Sequence, residues 1–493
     1  MKFLRMLVIT LGGLVASGLV GAGSAWAADA VSRIELEPCR FAGLGALRAV
    51  RGECGSLTVP LNYDDPSAAT IDLSVARLKA LKRSTQPVAV TVIAGGPGQS
   101  SLDFYSAYHP AFRRMREVFD IILVDQRGTG ESARLACAAP DDSLGGLWSV
   151  EETVEITQTC LNELALDPRF FTTSVAVRDL DAVRDALGYE QLSVYGISYG
   201  TRVAQHYLRR FEERTHSVIL DGVVPVDEAL GPDIALLAER AIQNAFDRCA
   251  DDESCNESFP QLEQRFAALI ERIRDKPVSV TLDHPITAEP TTLTLGHLDL
   301  AGAIRLLSYA PQTVALLPLM IHEAAEGNLV PLAAQALTVS QDLVDSMAYG
   351  MHNAVVCAED APFFANVDRA ALEKTYLGTP VFDSLAAVCD AWPSGVIDED
   401  FKTPFASQVP VLVLSGEADP ITPPDYGKRV VSYLNNARHI VGLGQGHGMA
   451  PVGCTPKLMG EFVRDRDLEN LDATCLNKQG ASPFFLSFAG PAP

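Results

Sequence analysis

Lys and Arg are scarce in this chain. They number 39 against 62 Asp and Glu in 493 residues, a formal net charge of −23. Nucleic-acid partners need clustered cations to meet their phosphates, so this balance excludes that class and disfavours anionic membrane surfaces. Long apolar runs are missing beyond the first 27 residues, and no stable membrane anchor is expected in the rest. The chain has no CxxC, no Cys–His cluster with zinc spacing, no GxGxxG and no Walker lysine. No metal or organic cofactor is implied, and no internal repeat is visible. What remains is a rather apolar chain, 47% hydrophobic and 20% charged. That excludes disorder and suits one large domain with an insertion, or two to three ordinary domains.

The first 27 residues read as a cleaved export signal. Lys2 and Arg5 are a positive start, Leu7 to Val20 an apolar stretch, and Ala25-Trp26-Ala27 a small-x-small cleavage site. No cysteine follows closely, so no lipid anchor is expected. The implied location is periplasmic or secreted. Ten cysteines, an even number spread along the chain, agree with an oxidising compartment. Pairing sequence neighbours gives Cys39–Cys54, Cys137–Cys160, Cys249–Cys255, Cys357–Cys389 and Cys454–Cys475. Each link closes a short loop and is expected to contribute ~2–4 kcal/mol by restricting the unfolded chain.

Two strand-rich blocks bracket a helical middle. Short β-branched runs at 57–61, 71–78, 87–93, 119–125, 191–195 and 217–222 read as strands. Val175 to Leu187 and Thr201 to Phe211 read as helices between them. Such alternation predicts a doubly wound, mostly parallel sheet. From 226 to 403 the pattern is mainly amphipathic helix, as in Ile234 to Ala250 and Phe259 to Arg274, with one β-like piece at 278–282. Strand patterns resume at 410–414 and 438–442. The returning strands are too few for a core of their own. The expected organisation is therefore a core at 28–225, a helical insertion at 226–403, and the core completed at 404–493.

Gly196-x-Ser198-x-Gly200 lies between a strand and a helix. A serine there sits on a tight turn, its hydroxyl lifted from the sheet and the helix N-terminus aimed at the reacting centre. A hydroxyl is a weak nucleophile and needs a base, which an acid must orient. The chain supplies them in the order this turn demands. Asp419 follows the strand Leu412 to Leu414, with Glu417 as the rival acid, and His447 lies in Gly444-Gln-Gly-His-Gly448. His439 falls in a strand pattern, and His206 and His322 fall in helical ones. Ala94-Gly-Gly96-Pro-Gly98 follows a buried strand, and its Gly96 amide pairs naturally with that of Tyr199 as an oxyanion hole. A phosphate-binding loop is the alternative for this glycine segment.

Ala94-Gly-Gly-Pro-Gly98, Asp125-Gln-Arg-Gly-Thr-Gly-Glu-Ser132 and Gly196-Ile-Ser-Tyr-Gly-Thr201 together resemble the α/β-hydrolase peptidases. The nearest likeness is to prolyl aminopeptidases and secreted tripeptidyl aminopeptidases. The resemblance implies the α/β-hydrolase fold with a helical cap, and an aminopeptidase acting on peptide substrates. It departs at Ala94, where prolyl enzymes carry His, which puts strict proline specificity aside. Asp125 and Arg127 read as structural. Such an enzyme binds the substrate ammonium, and Glu359 and Asp360 are the expected carboxylates. The same triad suits a carboxylic-ester hydrolase, and a catalytically silent fold is a third reading.

Overall fold

The computed structural model describes residues 34–43, 49–65, 67, 69–82, 87–137 and 149–491. The leader expected over 1–27 lies outside them. Eleven strands are present among the described residues: β1 Glu37–Phe41, β2 Val50–Pro60, β3 Thr70–Leu78, β4 Val88–Ile93, β5 Asp120–Val124, β6 Gln191–Ile197, β7 Thr215–Asp221, β8 Val278–Asp283, β9 Pro290–Leu295, β10 Val411–Gly416 and β11 Ala437–Gly442. Nine form one sheet in the order β1-β2-β3-β5-β4-β6-β7-β10-β11. From β5 to β11 the pairs are parallel, and the β1–β2, β2–β3 and β3–β5 pairs are antiparallel.

The central strands are unbroken apolar runs because both faces are covered. In β4, Val88, Val90 and Val92 enter one buried cluster while Ala89 and Ile93 enter the other. In β10, Leu412 and Leu414 divide from Val411 and Val413 in the same way. This is the period-two signature of a strand between two helix layers. Helices Thr173–Ala186 and Tyr199–Arg210 cover one face through Val177, Leu180, Val203 and Tyr207. Helices Ser101–Tyr108 and Thr455–Asp465 cover the other through Tyr105, Leu458 and Phe462.

Between β7 and β10 the chain makes a mainly helical excursion, called the cap below, and returns to pair Val411 with Val218. The cap has its own buried cluster, drawn from helices such as Ile234–Asp251, Leu262–Asp275 and His297–Leu307. Its β8–β9 hairpin adds Val280, Leu282 and Leu295. The sequence pattern marks only the first strand of that hairpin and does not mark β1. The helix expected from Phe259 begins instead at Leu262. Pro260 forces the residue before it out of helical angles, and Phe259 sits at φ −129°, ψ 62°.

The cap is fastened to the core by backbone. Ala348 N–H donates to Gly98 O at 3.0 Å, and Gly350 N–H to Leu135 O at 2.9 Å. The C-terminal segment crosses over as well: Phe484 is buried in the cap cluster, with the Arg248 guanidinium 3.9 Å from its ring centroid. All five disulfides join the neighbours expected from the sequence. Among the described residues no helix is long and apolar enough to cross a membrane.

Candidate active site

Ser198 occupies the turn between β6 and helix Tyr199–Arg210, with φ 55° and ψ −127°. A non-glycine residue adopts such angles only when its surroundings impose them. Here Ser198 N–H is held by Asp221 O at 2.9 Å, across to β7. Tyr199 opens the helix, so its amide has no partner within that helix. The glycine loop after β4 lies against the serine. A Cβ added to Gly95 would stand 2.9 Å from Ser198 Cβ, which is why a side chain is absent there.

Asp419 and His447 meet at the same end of the sheet, in the loops after β10 and β11. The Asp419 carboxylate accepts from the amides of Ile421 and Thr422 at 2.9 and 2.8 Å, and from Thr422 Oγ1 at 2.7 Å. His447 Nδ1 lies 2.8 Å from its Oδ2. Burial opposes charge on both groups. The His447 ring nevertheless sits above its ordinary value of 6.5, because the Asp419 charge and hydrogen bond outweigh that burial. Asp419 sits below the usual carboxylate range for the matching reason, helped by the two amides. Glu417, the rival acid, is exposed and accepts from Gly444 N–H at 2.9 Å. Gly222, at φ +61°, leaves room for the imidazole: a Cβ there would stand 3.0 Å from His447 Cε1.

Two contributors escaped sequence reading. Thr422 Oγ1 touches both Asp419 Oδ2 and His447 Nδ1, the latter at 3.1 Å. Asp221, at the end of β7, accepts from Tyr195 OH at 2.8 Å and from the amides of Met449 and Ala450 at 2.7 and 2.8 Å. One residue thus holds the backbone of Ser198 and the segment just after His447. Its sequence signal was slight, an acid ending an apolar strand.

Ser198, Tyr199, Gly96, Thr422 and His447 line one cavity of about 820 Å³ between core and cap. Its cap wall is largely apolar, with Leu306, Val339, Leu343, Met347, Val356 and Leu385. Tyr309 joins cap to core there: its carbonyl accepts His447 N–H at 2.8 Å and its ring meets the imidazole edge-on, centroids 5.4 Å apart.

Glu359 and Asp360 are not on this wall, and the expectation that they receive a substrate ammonium is corrected. Both are fully buried. Arg202, beneath the turn that carries Ser198, donates to Asp360 at 2.8 and 2.9 Å and to Glu359 at 3.3 Å. Lys402 Nζ adds a contact to Asp360 at 2.8 Å, and Thr173 donates its amide and hydroxyl to Glu359. A buried guanidinium must be neutralised, and the acid pair does that. Burial pushes Glu359 up to about 7, while Arg202 and Lys402 overcome the burial of Asp360 and hold it below its ordinary value. Asp125 and Arg127 are interior scaffolding. Arg127 forms two 2.6 Å bonds to Asp179, and Asp125 caps the helix at Ser101 through Ser100 and Leu102.

The α/β hydrolase fold family matches residues 88–279, and the TAP-like protein family matches residues 374–475. The chain has the α/β-hydrolase fold. It is 26% identical to the serine protease Hip1 of Mycobacterium tuberculosis over 445 residues, 82% of this chain and 83% of that protein. It is 29% identical to carboxylesterase B of the same organism over 425 residues, 78% of each. It is 29% identical to the tripeptidyl aminopeptidase of Streptomyces coelicolor over 189 residues, 35% of each. Among solved structures, the proline iminopeptidase of Mycobacterium smegmatis is similar with a TM-score of 0.42 and 17% identity, over 84% of this chain and 99% of that one.

Proposed function

We propose that this protein is an exported serine exopeptidase that removes one to three residues from free peptide N-termini. The observation that carries the reading is the placement of Ser198 and the Asp419-held His447 on the wall of one roofed cavity. In the proposed reaction Ser198 Oγ attacks the scissile carbonyl carbon while His447 takes its proton. The C–N bond breaks as His447 passes that proton to the leaving amine, which leaves an ester on Ser198. Water then attacks, His447 accepts its proton, and the free acid departs as Ser198 is reprotonated. The amides of Gly96 and Tyr199 hold the oxyanion in both halves, and losing one such donor costs roughly 3–4 kcal/mol of barrier. A cavity of about 820 Å³ suits a few residues of extended peptide rather than a folded chain. Export is supported by the pattern of residues 1–27 and by the five disulfides.

A carboxylic-ester hydrolase is the second reading. It is favoured by the apolar cap wall, which carries no carboxylate among the described residues, and by the likeness to carboxylesterase B. A tripeptidyl p-nitroanilide, its N-acetylated form and p-nitrophenyl butyrate separate the two. The peptidase reading expects the free anilide to be turned over at least ~10-fold faster than the acetylated one, and no turnover by Ser198→Ala. Turnover of the ester alone transfers the assignment to the esterase. Full activity in Ser198→Ala ends both readings.

A further inference from the structure

The cavity wall carries one formally charged side chain among the described residues, apart from the His447 and His352 imidazoles, and it is Arg305. Arg305 projects from the cap helix His297–Leu307 and is half-buried. The buried arginines are neutralised by carboxylates, Arg127 by Asp179, Arg184 by Asp181, and Arg202 by Asp360 and Glu359, while the half-buried Arg248 and Arg438 rest on backbone carbonyls. Arg305 forms no ion pair with any described residue. Its described hydrogen bond runs from Nη2 to Tyr309 OH at 2.9 Å, with the guanidinium 5.5 Å from the centre of that ring. A guanidinium has five donors in a planar fork, so most of them remain for something inside the cavity. In a chain with 62 acids and 39 bases, a cation left without a carboxylate in an apolar wall calls for a counter-charge from outside.

The position of that cation is also fixed relative to the chemistry. Tyr309 holds Arg305 through its hydroxyl and His447 through its carbonyl and an edge-on ring contact. One residue therefore sets the distance between the cation and the imidazole. We propose that Arg305 is the specificity-determining residue of this cavity and pairs with a carboxylate of the substrate, contributed by an acidic side chain or by the free C-terminus of a short peptide. This rests on the reading that Ser198 and His447 act in the cavity, and it holds for either an amide or an ester substrate. A two-point guanidinium–carboxylate bond fixes orientation as well as affinity, so it selects among substrates of similar size.

The experiment measures kcat/KM of the full chain on three short peptides: an all-alanine peptide with an amidated end, the same peptide with a free C-terminus, and amidated forms with one Glu moved through the sequence. The wild type should prefer one carboxylate-bearing kind, and which kind identifies the source. In Arg305→Gln the ratio of that kcat/KM to the amidated all-alanine value should fall about 10- to 100-fold, the worth of a hydrogen bond to a charged group. Arg305→Lys, which keeps the charge but not the fork, should fall between. Labelling of Ser198 by an uncharged fluorophosphonate reports that a variant is folded, and if Arg305→Gln fails it the Lys ratio decides. Should wild type cleave no peptide, the peptidase reading fails. The same ratio is then taken from p-nitrophenyl butyrate and the mono-p-nitrophenyl ester of glutaric acid. A wild type indifferent to the carboxylate, or equal losses on charged and neutral substrates in Arg305→Gln, overturns the proposal.

Discussion

The Asp419 carboxylate takes four donors, from two amides, one hydroxyl and one imidazole. The first three fix its plane, so the fourth, from His447, has a single geometry. In the proposed reaction the general base must be neutral to accept the proton of Ser198. Because His447 sits above 6.5, kcat/KM should fall as pH drops, with a midpoint above 6.5. Asp419→Asn removes the charge that raises the ring, so the acid limb should move down while kcat drops by on the order of 10⁴-fold. A pH profile of both proteins checks the pair, and a wild-type limb at or below 6.5 contradicts the account. Ser198 and His447 were legible in the sequence because a tight turn and a glycine loop are local signatures. Asp419 was separable from Glu417 only as the likelier of two neighbours. Glu359 and Asp360 were legible as an acid pair but not as the counter-charge of Arg202, which stands more than 150 positions away. Arg305 left no mark, since a cation on an amphipathic helix normally faces water.

At the scale of elements, helix Tyr349–Glu359 docks its acidic end against the helix that follows Ser198. That contact has a pH dependence with a definite sign. Glu359 is pushed up from 4.5 to about 7 in the folded chain. Folding therefore retains a proton that the unfolded chain releases, and the associated stability is full below pH 4.5 and lost as pH rises through about 7. In Glu359→Gln this part of the pH dependence should vanish, so the difference between urea midpoints at pH 5 and pH 8 should shrink relative to wild type. An unchanged difference removes Glu359 as its source. The strands of the main sheet were legible because burial on both faces writes itself as continuous apolar runs. Strand β1 and the second strand of the β8–β9 hairpin were not, because β1 has no buried residue and β9 only Leu295, so neither writes an apolar run.

For the whole molecule, the site exists only where cap and core meet, and that juxtaposition is made by backbone contacts far apart in the chain. No local pattern in the sequence reports them. The C-terminal segment is one fastening. Gln445, in the His447 loop, donates to Gly480 O at 2.9 Å, and Phe484 then enters the cap cluster under Arg248. Phe484→Ala should cost about 3–5 kcal/mol, read as a lower urea midpoint with unchanged slope. A loss within 0.5 kcal/mol, the range of ordinary surface substitutions, shows that the segment does not fasten the cap.

The disulfides bear on how such a chain is made. The ten cysteines are bonded two by two in sequence order, and the separations run from 6 to 32 residues. A polypeptide threaded N-terminus first into an oxidising compartment thus presents its cysteines already in matched order. On the proposed export route the partner of each first thiol is the next to arrive, so consecutive pairing asks for no sorting among distant cysteines. The same chain reduced and oxidised at full length faces about a thousand alternative pairings.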